Sequence, residues 1–150
     1  MSAPDGTWDL LVDGASRGNP GPAAAGVLIT DPNGLVLFEE GRPLGRTTNN
    51  QAEYLALHIA LREAAALDAR RVRVRTDSQL LVRQMNGQYR VKNPALQGLH
   101  AEAQRLAAAF KTFEIVWVER SQSAAADRLA NEAFRQTPAR PGSPLTRGGR

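Results

Sequence analysis

Three short apolar runs separated by turn chemistry open the chain, at residues 10–12, 25–29 and 35–38, each the length of a strand and too short for a helix. Asp31-Pro32-Asn33-Gly34 between the last two is a hairpin signal, so the first third is predicted to be an antiparallel meander. The period then changes. Over residues 50–68 alanine and leucine recur at helical spacing, with Thr48 or Asn49 as the cap. A strand is predicted at 71–76 and a short helix at 78–85, which Asn86-Gly87 can terminate. Asn93-Pro94 places a capping side chain before a proline at the first helical position, and Leu96, Leu99, Ala103, Leu106 and Phe110 continue that helix. Residues 112–119 read as a strand with Phe113, Ile115 and Trp117 on one face, and 124–135 as a final helix. This order predicts an α/β fold: a mixed five-stranded sheet, three antiparallel strands followed by two parallel ones joined by right-handed crossovers, flanked by helices. The proline, glycine and arginine residues after position 137 show no apolar periodicity. Residues 1–137 are therefore expected to form one domain and 138–150 a flexible basic tail.

Four acids interrupt the pattern. Asp13 ends the first apolar run, and Asp77 follows the strand at 71–76. Glu53 falls on the same helical stripe as Ala56, Leu57, Ala60, Ala64 and Leu67, and Asp127 stands beside Ala130 and Phe134 on the last helix. A buried carboxylate must be paired, protonated or bound to metal. Each has an ordinary reading as well: Asp13 as a turn residue, Asp77 as a helix cap, Glu53 as a first-turn acid favoured by the helix dipole, and Asp127 as an exposed partner of Arg128. One shared site is more economical than four separate explanations. Hard oxygen donors without cysteine or clustered histidine favour magnesium or manganese over zinc. Two such ions about 3.5 to 4 Å apart could hold the attacking and leaving oxygens of a phosphodiester hydrolysis.

Composition narrows the class. A chain of 150 residues can hide roughly two thirds of its unfolded surface, enough for a real core. No apolar stretch approaches the roughly 18 residues of a membrane span, and no basic-then-apolar leader opens the chain, so a cytoplasmic protein without membrane partners is expected. The net charge of +4 rests largely on Arg140, Arg147 and Arg150. Local clusters carry more information: Arg70, Arg71, Arg73 and Arg75 around one strand, then Arg83, Arg90 and Lys92.

Polar neighbours of the acids sharpen the picture. Gly14 to Gly21 is a small-residue segment on which a nucleic-acid backbone could lie, though taken by itself it reads better as an ordinary hairpin loop. Asn49, Asn50 and Gln79 carry donors and acceptors suited to ribose hydroxyls and minor-groove edges, with helix capping as their alternative. Taken in order, Val12-Asp13-Gly14-Ala15-Ser16 with Gly18-Asn19-Pro20-Gly21, Thr48-Asn49-Asn50-Gln51-Ala52-Glu53, Thr76-Asp77-Ser78-Gln79 and Ala126-Asp127-Arg128-Leu129-Ala130-Asn131 resemble ribonuclease H of type 1. The resemblance runs from about Trp8 to Phe134. It implies a two-magnesium site on Asp13, Glu53, Asp77 and Asp127, with manganese as a substitute, and endonucleolytic, largely sequence-independent cutting of the RNA strand in RNA/DNA hybrids. It also implies hybrid contacts at Asn19, Asn50 and Gln79, to which Gly14, Ser16 and Asn49 are added as neighbours.

Two departures stand out. Residues 119–124, Glu119-Arg120-Ser121-Gln122-Ser123-Ala124, lack the histidine that longer members carry there, and the region after Met85 lacks their basic helical handle. The chain resembles the compact form of the family. Arg120 is the candidate for part of the missing histidine's work, as a fixed cation that steadies a displaced phosphate, with a surface salt bridge as the alternative. Arg90 and Lys92, on either side of Val91 and next to Tyr89, are expected to touch DNA phosphates. His58 and His100 fall inside predicted helices and are read as packing or surface residues. A monomer is the default. The rival readings are a related nuclease or resolvase acting on another nucleic acid, and a silent hybrid-binding module.

Overall fold

The computed structural model describes residues 6–136; the expected boundary after residue 137 and the tail at 138–150 lie outside the described residues. The elements run β1 (Thr7–Ser16), β2 (Gly21–Thr30), β3 (Val36–Thr47), α1 (Asn49–Ala66), β4 (Arg71–Thr76), α2 (Gln79–Met85), α3 (Pro94–Ala107), β5 (Thr112–Trp117), a 3-10 turn (Arg120–Ser123) and α4 (Ala124–Gln136). The sheet order is β3-β2-β1-β4-β5, with β1–β2 and β2–β3 antiparallel and β1–β4 and β4–β5 parallel. The expected mixed sheet is therefore present.

Two strands are longer than the apolar runs suggested. β1 does not stop at Asp13; it continues to Ser16, and Asp13 pairs with Gly26 in mid-ladder. β3 continues through the charged residues 39–47 because it is an edge strand, where one side of the ladder is free and a proline such as Pro43 is tolerated. A register shift at Ala23/Ala24 accommodates that stretch. β5 and α3 are shorter than expected, ending at Trp117 and Ala107.

Thr48 is the cap of α1. Its side chain accepts from the Gln51 amide at 3.1 Å while Gln51 Oε1 accepts from the Thr48 amide at 2.8 Å, a reciprocal capping box. One face of the sheet, through Leu10, Val12, Val72 and Val74, packs against Tyr54, Leu57 and Leu61 of α1 and Leu96 and Ala103 of α3. On the other face α4 lies across β1, β2 and β3 with Ala130, Ala133 and Phe134 against Ala24 and Ala15. It sits unusually low. A Cβ at Gly26 would fall 1.9 Å from the Ala126 carbonyl oxygen, and one at Gly41 the same distance from that of Leu129. Part of the basic cluster on β4 is neutralised by neighbours: Arg75 forks onto Asp9 at 2.7 and 2.8 Å, and Arg73 meets Glu114 at 2.9 Å. Among the described residues no helix is long and apolar enough to cross a membrane.

Candidate active site

Parallel pairing of β1 with β4 builds the site. The ladder matches Leu11 with Arg75, and two residues further along each strand direction come Asp13 and Asp77. Asp77 follows directly on β4, and it is Ser78, not Asp77, that caps α2, its Oγ accepting from the Leu81 amide at 3.2 Å. The capping explanation for Asp77 therefore falls, as does the turn explanation for Asp13.

Glu53 arrives from α1, past the first turn, where the helix-dipole explanation no longer applies. Its Oε1 accepts from the Gly14 amide at 2.9 Å. That bond needs α1 to press onto β1 where a side chain would stand: a Cβ on Gly14 would lie 2.2 Å from the Ala52 carbonyl oxygen and 2.6 Å from the Glu53 nitrogen. Gly14 is thus a spacer within a strand rather than the start of a loop.

Carboxylate oxygens of Asp13, Glu53 and Asp77 all lie within 4.8 Å of one another. Asp127 stands at the edge of this trio, in the first turn of α4, within hydrogen-bond reach of Asp13, and accepts from Asn131 Nδ2 at 3.2 Å. Arg120 faces two of the four acids, its guanidinium 3.9 Å from Asp77 and 3.9 Å from Asp127. The arrangement is three clustered acids with a fourth at their rim beside Asp13, faced by an exposed cation.

Burial, then the charges of Asp77 and Asp127 and a side-chain hydrogen bond with Asp127, push the Asp13 carboxyl up to about 8, with Arg120 opposing. Burial, then Asp13 and Asp77, likewise hold Glu53 well above the usual carboxylate range, against the pull of the Gly14 amide and Arg120. Asp13 Oδ2 is buried and receives no hydrogen bond. Crowded acids and an orphaned oxygen, with no sulfur or imidazole among the trio, fit a hard divalent cation better than they fit their own company.

Other expected residues fall into two groups. Ser16, Asn19 and Asn49 tie the β1–β2 turn to the start of α1: Asn49 Oδ1 accepts from the Ser16 amide at 2.8 Å, and Asn19 Oδ1 accepts from the Asn49 amide at 3.0 Å. Asn50 and Gln79 are exposed at the starts of α1 and α2. Tyr89, Arg90 and Lys92 are exposed on the connection between α2 and α3, away from any role in assembling the carboxylates. Both histidines serve packing, as expected: His58 Nε2 is 2.8 Å from the Leu99 carbonyl and His100 Nε2 is 3.2 Å from that of Gln84. Asn131 closes the last of the sequence motifs without a role assigned to it there, although its place four residues after Asp127 on a helix is a usable signal.

The family model described as "Reverse transcriptase-like" matches residues 11–133. A bifunctional protein of Mycobacterium tuberculosis is 46% identical over 126 residues, covering 83% of this chain and 35% of the relative. The chain thus spans about a third of that relative's length. Ribonuclease HI of Halobacterium salinarum is 44% identical over 122 residues, covering 81% of this chain and 61% of the relative. Among solved structures, RNase H1 from Halobacterium salinarum superposes with a TM-score of 0.85 at 41% identity, covering 88% of this chain and all of that one. LC11-RNase H1 in complex with RNA/DNA hybrid gives 0.81 at 40% identity, covering 86% and 97%. Shared sheet, shared order of acids and likeness over most of its length leave one assignment: the chain belongs to the ribonuclease H type 1 family.

Proposed function

We propose that this chain is a metal-dependent endonuclease that hydrolyses the RNA strand of RNA/DNA hybrids with little regard for sequence. The observation that carries the reading is the trio Asp13, Glu53 and Asp77, with carboxylate oxygens within 4.8 Å of one another and a buried Asp13 oxygen that has no donor. These three would hold magnesium, with manganese as a substitute, and Asp127 would complete the rim. Two such ions, when bound, supply an activated water and charge neutralisation at the departing oxygen.

The remaining chemistry belongs to side chains. Asp127, fixed by Asn131, orients a water at the edge of the trio, and Arg120 steadies the displaced phosphate as a fixed cation. The exposed side chains of Asn19, Asn49, Asn50 and Gln79, with the half-buried Ser16 between them, form the surface against which the hybrid lies, reading the 2′-hydroxyls of one strand, whereas Gly14 is buried under α1 and serves this surface only by seating that helix. Arg90 and Lys92 meet phosphates of the DNA strand. A hybrid bound to LC11-RNase H1, at 40% identity, supports this choice of substrate. We place the enzyme in the cytoplasm as a monomer, with residues 1–137 as its nuclease domain and 138–150 as a basic tail.

One assay tests the reading. Labelled RNA/DNA hybrid, duplex RNA and branched DNA are offered with magnesium and with chelator; cleavage is expected only of the hybrid's RNA strand and only with metal. An Asp77→Asn chain should bind hybrid and leave it intact. Cutting of branched DNA or duplex RNA in preference to hybrid overturns the assignment.

A further inference from the structure

Trp117 is the last residue of β5 and pairs with Thr76, the neighbour of Asp77, yet 45% of it is exposed. The other tryptophan, Trp8, packs against the core. Beside Trp117 lies a groove of about 260 Å³ lined by Gln79, Val82, Arg83, Gln88 and Trp117 itself. Arg83 does not swing freely. Its guanidinium lies 5.1 Å over the Tyr89 ring and donates to the Tyr89 hydroxyl at 3.0 Å, spending one of its five donors. Tyr89 and Trp117 are the two large aromatic residues exposed among those described, and both border this one cation.

We propose that this groove is a subsite for an unpaired nucleotide flanking the hybrid, with its base stacked on Trp117 and its phosphate at Arg83. The proposal rests on the hybrid-nuclease reading, because Gln79 is shared between the groove and the surface assigned to the duplex. An aromatic face beside a held guanidinium is the chemistry that binds single strands without sequence preference: every base has a π-face and every nucleotide a phosphate. The amides of Gln79 and Gln88 add donors and acceptors for a base edge. A closed duplex cannot use the shelf, since its bases are already stacked on each other. A strand that has left the duplex can.

Binding is measured with chelator present, so that nothing is cut, on a blunt hybrid and on four versions carrying a short RNA or DNA extension at a 5′ or 3′ end. One extension is expected to bind roughly tenfold tighter than the blunt hybrid, the size of a single base–aromatic stack. Trp117→Ala and Arg83→Gln should each abolish that ratio, and Trp117→Phe should keep most of it. The ratio is taken within each protein, so changes in overall affinity or folding cancel. Equal binding of all four extensions and the blunt hybrid overturns the subsite, as does a ratio that survives Trp117→Ala. If the blunt hybrid is not bound at all, the functional reading fails and the shelf is judged separately: a free single-stranded oligonucleotide must then quench tryptophan fluorescence in the wild-type chain and not in Trp117→Ala.

Discussion

Replacing Asp13 with asparagine should destroy the nuclease and strengthen the fold. In the folded chain the Asp13 carboxyl is pushed up to about 8 from an ordinary value of 3.8, first by burial and then by Asp77 and Asp127. The unfolded chain therefore releases this proton near pH 4 while the folded chain keeps it until about pH 8. Because the native state binds more protons across that window, its stability falls as pH rises and levels off above the folded value. At about 1.4 kcal/mol for each tenfold change in the proton equilibrium, the rise from 3.8 to about 8 sets a ceiling of about 6 kcal/mol, part of which Asp77 and Asp127 share with Asp13. An amide of the same shape carries no charge and escapes most of that cost. For a chain of this size, a gain of about 2 to 5 kcal/mol raises the unfolding temperature by roughly 5 to 15 °C. The assay is thermal or urea unfolding in chelator from pH 4 to pH 8. Asp13→Asn should match the wild type at pH 4 and exceed it increasingly towards pH 8, with a shallower residual slope from Glu53, which is raised in the same direction. Magnesium should then restore the wild type and do little for the variant. Equal stabilities at pH 8, or a gap that is just as wide at pH 4, would refute the crowding argument.

Gly14→Ala must push α1 back by about an ångström, since its Cβ would start 2.2 Å from the Ala52 carbonyl oxygen; unfolding should show a loss of about 3 kcal/mol, and kcat should drop about a hundredfold as Glu53 moves. Arg120→Ala removes the cation 3.9 Å from Asp77 and Asp127, so turnover should fall about tenfold, less than for a fully enclosed donor, with hybrid affinity changed little; unchanged turnover ends its catalytic role. Joint replacement of Arg90 and Lys92 by alanine should flatten the salt dependence of hybrid binding by about one to two in the logarithmic slope, and an unaltered slope removes both from the phosphate interface.

Local rules carried much of this far. Thr48 with Gln51, Asn93-Pro94 and the alternation of Arg71 to Thr76 declare their elements through side chains next to them in sequence, and the structure agrees with each. The four acids were also legible, because a charge on an apolar stripe is conspicuous. Long-range facts were not. Nothing near Gly14 in sequence announces that Ala52 will lie against it, so a residue inside a strand read as the beginning of a loop. The charged half of β3 hid as loop because its stability comes from pairing with β2 rather than from apolar alternation. How Asp127 meets the other three depends on how α4 sits on the sheet, which the spacing of Asp127, Ala130 and Phe134 leaves open.

Two missing methyl groups set that seat. With backbone touching backbone at Gly26 and Gly41, α4 cannot come closer to the sheet, but it can be lifted. Alanine at either place would act as a shim beneath the rim acid alone, since Asp13, Glu53 and Asp77 are mounted on β1, α1 and the end of β4. The fold thereby offers an adjustment screw: the gap between Asp127 and its companions could be reset without retouching any ligand, and descendants of this scaffold could tune how water is presented to the cut while leaving the cation seat as it is.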